Sequence, residues 1–160
     1  MNAQDVLYYG HETVKQVVQD LPESAWETPG VVGVWSVKDV LAHLASFEQL
    51  LVDVLHSLQD DTPTPTLDRF ISLGNGRFND VEVAERQSWR AAEVWQAYEA
   101  AAQQAQTLLA QIPLTERRRT GALPWYGAEY DLEDYLAYAN YGHKREHCAQ
   151  IGVFRDQTKQ

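Results

Sequence analysis

Two histidines set four residues apart, His143 and His147, lie in a C-terminal stretch that reads DLEDYLAYANYGHKREHCAQIGVFR from Asp131 to Arg155. On an α-helix, residues at this spacing share one face about a turn apart, roughly 6 Å, so both imidazoles can face one point. The pair is therefore a candidate for half of a metal site. The stripe that carries them runs Leu132, Leu136, Ala139, Asn140, His143, His147, Gln150, Ile151 and Phe154, apolar at both ends and polar in the middle. A helix that serves only packing keeps such a stripe apolar. Each buried imidazole nitrogen left without a partner costs about 1–3 kcal/mol, so the pattern calls for an answering group inside the fold.

The elements that must supply it are helical. Leu7, Val14, Val18 and Leu21 recur at helical spacing from Gln4 to Leu21, and Pro22 ends that run. His11 falls on the same stripe, as a core histidine or as a cleft-lining proton carrier. A Pro-, Gly- and acid-rich loop covers 22–35. Ser36 and Asp39 then form a capping-box pattern, with Trp35 and Val40 as a hydrophobic staple. The helix they start runs to about Leu58 and contains His43. Asp39 sits one turn before His43, where capping is its simpler role and orientation of the imidazole the alternative. From Asp60 to Asp80 there is no sustained period, which predicts a long crossover, because simple bundle connections run about 2–8 residues. A short helical run over 80–87 precedes a clear stripe of Val94, Tyr98, Ala101, Ala105, Leu108 and Ile112, ending before Pro113. The loop 114–130 carries Arg117, Arg118 and Arg119, a solvated run or an anchor for an anionic ligand. Asp131 caps the last helix. No strand signal is strong enough to break an all-α assignment.

Composition narrows the possible functions. The chain of 160 residues fits one domain spanning 1–160. Its single cysteine excludes an internal disulfide framework and suits a reducing compartment. With neither a secretory leader nor a membrane span expected, the expected location is cytoplasmic. The formal charge of −10 speaks against a nucleic-acid partner, since such affinity comes from Lys and Arg neutralising phosphates.

Helix geometry tests whether His43 reaches the C-terminal pair. His43 lies seven residues after Ser36, roughly 10 Å along its helix, and His147 lies eight before Arg155, roughly 12 Å. The two levels match if the helices run antiparallel. A plain up-down-up-down bundle would make them parallel and separate the levels by roughly 8–14 Å. A crossover that spans the bundle instead gives an up-down-down-up arrangement, and helix axes roughly 8–10 Å apart then let three imidazoles converge.

GVWSVKDVLAHLASFE (33–48), together with HKREHCAQI (143–151), resembles the DinB-like (YfiT-like) superfamily of four-helix bundles, in order and spacing over most of the chain. The resemblance implies an up-down-down-up bundle and a divalent metal, nickel or zinc, on His43, His143 and His147. It also implies frequent homodimers and relatives that include bacillithiol S-transferases and the metal-binding domain of mycothiol-dependent maleylpyruvate isomerase. DNA binding is not implied. Three neutral imidazoles leave such an ion its 2+ charge and at least one open position. The expected function is therefore a metal-dependent enzyme acting on a small-molecule substrate with a low-molecular-weight thiol. The alternatives are a metal-dependent hydrolase and a non-catalytic metal-binding or dimerisation bundle.

Other residues have simpler roles. His143 to His147 also reads H-x-x-E-H, the inverted zinc-protease motif with Glu146 as base; that family's third ligand lies far downstream, and only 13 residues follow His147. Cys148 is rotated about 100° from His147 and should miss the metal. His56, near the end of its helix, suits a surface role beside the helix dipole. Asn140 and Gln150 bracket the pair and could orient ligands or substrate. No residue stands out as a dedicated general base. Trp26, Trp35 and the 77–88 segment should rim the metal end, with Arg117 to Arg119 at the far end.

Overall fold

An asparagine cap opens the first helix: Asn2 Oδ1 accepts from the Gln4 backbone N–H at 3.1 Å, satisfying one of the donors a helix start leaves free. The computed structural model describes residues 2–159. Helix α1 (Ala3–Val18) is followed by a single turn, α2 (Glu23–Trp26), and by a hairpin of β1 (Pro29–Val32) and β2 (Trp35–Ser36). Gly33 takes φ +57 in its turn, a left-handed conformation natural to glycine. Ser36 and Asp39 close a true capping box at the head of α3 (Val37–Ser57). Asp39 also accepts from Gln87 Nε2 at 2.8 Å and is committed to these contacts, so capping is its role.

The segment expected to be an irregular crossover instead folds into two helices, α4 (Pro65–Leu73) and α5 (Asn75–Glu85). The signals for α4 are partly non-local. Its start is capped from α3: Asp53, buried, accepts from the backbone N–H groups of Thr66 and Leu67 at 2.7 and 3.1 Å. Gly74, at φ +76, makes the bend between the two helices. Buried Glu82 then ties α5 to α4 by pairing with Arg69 at 2.6 Å and with Arg86 at 2.8 Å. The chain continues through α6 (Ala91–Gln111) and the turn α7 (Leu114–Arg117). The last helix has three parts: α8 (Leu132–Tyr135), a π-helical stretch (Leu136–Gly142) and α9 (His143–Thr158).

Side-chain contacts fix the directions. Lys38, at the start of α3, donates to the carbonyls of Gln87 and Trp89 just before α6; Gln59, just past the end of α3, donates to Leu108 O near the end of α6. These two helices are parallel. The last helix runs against α3, since His43 meets His147 while Glu48 meets Asn140 and Lys144. Helix α1 follows the last helix: Ala3 and Leu7 share a core cluster with Leu132 and Leu136, and Val14 and Val18 share another with Ile151 and Phe154. The order is up-down-down-up, as the histidine levels required. The hairpin is the only strand pairing among the described residues, so the all-α class stands. No helix among them is long and apolar enough to cross a membrane.

The π-helical stretch changes which residues face inward. Leu132, Leu136, Asn140, Lys144 and Cys148 are all buried, a row that advances four residues at every step. On a regular helix each such step drifts by about 40°; the wider π-turn absorbs part of that drift. The centre of the buried row therefore passes through Lys144, while His143 sits half-buried at its edge. Lys144 is 1% exposed, and its ammonium lies 2.8 Å from Oε1 of Glu48, itself 2% exposed. Asn140 Nδ2 donates to the same oxygen at 2.9 Å.

A buried pair of this kind is costly to break on one side. Lys144→Met should lower unfolding free energy by about 3–5 kcal/mol by stranding Glu48, and Lys144→Met with Glu48→Leu should recover most of that loss. Urea denaturation of the single and double variants checks this. A double variant no more stable than the single one would contradict it.

Candidate metal centre

Three imidazoles meet where α3 passes the last helix. His43 Nε2 lies 2.7 Å from His143 Nε2, and His147 Nε2 lies 3.0 Å from the same atom. All three candidate ligand atoms fall within 4.8 Å of one another. Residues from two helices, a hundred positions apart in sequence, thus point the same ring atom at one spot. Among the described residues no other group of three His, Cys, Asp or Glu is arranged in this way.

The environment keeps the rings neutral. Burial pushes the His43 pKa down to about 2, with the charges that His143 and His147 would carry adding to the effect. Burial first, then His147 and Lys144, bring His143 down to about 4. His147 is lowered by burial, partly offset by its contact with Gln150 and by the Glu146 carboxylate. At neutral pH the cluster is three uncharged imidazoles with lone pairs to offer, the form that ligates a metal.

Gln150 sets the orientation of one ring. His147 Nδ1–H donates to Gln150 Oε1 at 2.7 Å, which leaves the Nε2 lone pair of that ring aimed at the cluster. This is the arrangement by which an outer partner fixes a ligand's tautomer. His43 Nδ1 has no hydrogen-bond partner, and its ring is held by packing: Trp35 lies 5.3 Å away on one side and Phe47 4.9 Å away on another, centroid to centroid. The donor set fits a borderline divalent ion with bonds of about 2.0–2.1 Å.

A cleft of about 500 Å³ opens onto the triad. Trp35, Phe47, Phe70 and Ala139 form its apolar wall, and Asn75, Asn79 and Glu146 its polar rim. Of the expected rim, Trp35 and Asn79 are in place. Trp26 is not; it packs against the apolar cluster around Val40 and Ile151 instead. Phe70 and Asn75 come from the segment read as an irregular connection, and only its folding into α4 and α5 brings them to the site. Phe70 and Leu67 at i, i+3 were the local trace of that helix.

The remaining sequence candidates resolve individually. His11 is a core histidine, 7% exposed, stacked on Tyr98 at 5.5 Å. Cys148 is buried outside the cluster, with its thiol raised to about 11 by burial. Asn140 serves Glu48 and not the imidazoles. Arg117 closes the end of α6 by donating to the carbonyls of Leu109 and Ile112, both at 2.8 Å. Arg118 and Arg119 pair with Glu133 and Glu116. His56 pairs with Asp60 at the far end of α3. Sequence reading missed Glu48 and Lys144; for Lys144 the available signal was its i, i+4 relation to Asn140 and Cys148 along the last helix, and for Glu48, a carboxylate on α3, its place among the buried residues of that helix.

The fold and site together define a four-helix bundle with a buried three-histidine cluster that can hold a metal ion. Residues 7–151 match the DinB superfamily, and the chain belongs to that family. Neither a curated protein nor a solved structure gives a significant match.

The lowered histidine pKa values carry a sign. Below the ordinary value of 6.5 the unfolded chain takes up protons that the metal-free native cluster refuses. Stability should therefore fall as pH drops from about 6.5 toward 4.5, by up to about 1.4 kcal/mol per pH unit for each histidine involved. Urea midpoints of metal-free protein across that range check this. A His43→Phe variant should show a shallower slope, and an unchanged slope would mean that the cluster is not the source.

Proposed function

We propose that the protein is a divalent-metal-dependent enzyme acting on a small molecule, joining a low-molecular-weight thiol to an electrophile. The observation that carries this reading is the convergence of three neutral Nε2 atoms on the floor of an aromatic-walled cleft. His43, His143 and His147 would be the ligands, and nickel or zinc suits imidazole donors. Bound there, such an ion supplies a Lewis acid that lowers the pKa of a thiol at neutral pH. The chain's own residues hold the geometry: Gln150 fixes the His147 tautomer, the Glu48–Lys144 pair joins the two ligand-bearing helices, and Trp35, Phe47 and Phe70 exclude water from one side.

A non-catalytic reading is favoured by one feature, that the triad bridges α3 and the last helix and could fasten them. It predicts a large fall in melting temperature on chelation with no thiol turnover. We further propose a cytoplasmic homodimer whose contact uses the outer faces of α1 and the last helix, where Tyr8, Tyr9, Tyr138 and Val153 are exposed at 49%, 59%, 67% and 59%. Light scattering at micromolar concentration should give twice the chain mass, and a monomer would remove the dimer.

Metal analysis of untagged protein should find about one equivalent of nickel or zinc, lost in His43→Ala. Gln150→Ala should retain the ion with affinity weakened about 10–100-fold. A panel of thiols and electrophiles should show turnover that His147→Ala abolishes without loss of helicity. No metal after reconstitution with either ion would overturn the proposal.

A further inference from the structure

We propose that the cleft above the triad selects thiols with a positively charged body, aminothiols in preference to thiols bearing carboxylates or phosphates. This rests on the thiol-transfer reading for the thiol end of the ligand, and on the cleft alone for the cationic end.

The charge inventory of the cleft carries the inference. Glu146 is the only formally charged side chain lining it, and no lysine or arginine does. The two cations beside Glu146 in sequence are committed elsewhere. Lys144 is buried against Glu48, and Arg145 lies over the Tyr141 ring and donates to its hydroxyl. Glu146 itself is exposed and has neither a hydrogen bond nor an ion pair among the described residues. A carboxylate held at the rim of a pocket without a partner favours a cation and repels an anion entering beside it.

The wall points the same way. Trp35, Phe47 and Phe70 are half-buried and line the cleft. Phe47 and Phe70 pack edge to face, 6.0 Å between centroids, so ring surface and not a polar lattice meets the ligand. Aromatic faces combined with a carboxylate attract ammonium groups through the ring quadrupole. Asn79 adds a side-chain oxygen with no protein partner, an acceptor suited to an N–H donor. Beyond the metal position, a polyanionic thiol would find no lysine or arginine lining the cleft to neutralise its other charges. An aminothiol would place its sulfur at the triad and its ammonium between Glu146 and the aromatic wall.

Two experiments test this separately. Cobalt(II)-reconstituted protein is titrated with 2-aminoethanethiol and with 3-mercaptopropionate, read by the sulfur-to-cobalt charge-transfer absorption. The ratio of the two affinities should fall roughly fivefold in Glu146→Gln, the size of one exposed ion pair of about 1 kcal/mol, and should fall further in Glu146→Lys. Comparing ratios between variants cancels the intrinsic acidity of each thiol. Glu146 holds no structural contact, so both variants should keep the parent melting temperature. Without any thiol, phenethylamine should shift the Trp35 indole N–H resonance and phenylacetate should not, and Glu146→Lys should reverse that order. Ratios and shifts unchanged by both substitutions would overturn the proposal. Amine selectivity at Trp35 with no thiol signal on cobalt would overturn the thiol reading while keeping the cationic preference of the cleft.

Discussion

A lysine and a glutamate with almost no access to water can share an interior only by facing each other, and that requirement sets how α3 and the last helix meet. Desolvating either ion alone costs several kcal/mol, so any sliding of one helix along the other that separated Lys144 from Glu48 would be penalised heavily. Asn140 adds a third contact from the same face. Pairing Glu48 with residues 140 and 144 places His43, five residues earlier on an antiparallel helix, beside 143 and 147. The imidazole cluster is thus a consequence of a register that the ion pair enforces one turn away.

The π-helical stretch is what lets both sets of residues exist on one helix. Regular α geometry carries the inward face from Leu132 through Leu136 toward residue 143, leaving Lys144 turned away. The wider turn over Leu136–Gly142 rotates the following residues back, so Lys144 enters the core and His143 and His147 fall at its edge, where the cleft opens. Without that shift His143 would sit at the centre of the core with no access to a ligand. Over Leu136–Gly142 the backbone hydrogen bonds span five residues in place of four.

Much of this was readable from residue types. The Ser36 and Asp39 box, the H-x-x-x-H spacing, the stop at Pro113 and the length of the crossover together determine the bundle topology, because each acts over a few residues or through simple geometry. The parts that were not readable depend on partners distant in sequence. Helix α4 owes its cap to Asp53 on another helix. Asn75 and Phe70 reach the cleft only after α4 and α5 dock. Lys144 falls outside the stripe when that stripe is projected at 3.6 residues per turn, and only a four-residue advance through Leu132, Leu136, Asn140 and Lys144 betrays the π-turn.

The interior polar groups then fall into two sets with opposite electrostatic logic. Glu48 and Lys144 are both ions, they cancel each other, and nothing about them asks for a ligand. The three imidazoles are neutral because they are buried next to one another, so each keeps one acceptor lone pair, and their Nε2 atoms lie at short mutual distance. His143 Nε2 faces two other Nε2 atoms, and a single proton cannot serve both contacts. One set stabilises the fold by closure. The other is left incomplete by the protein's own groups, on the side that faces the cleft.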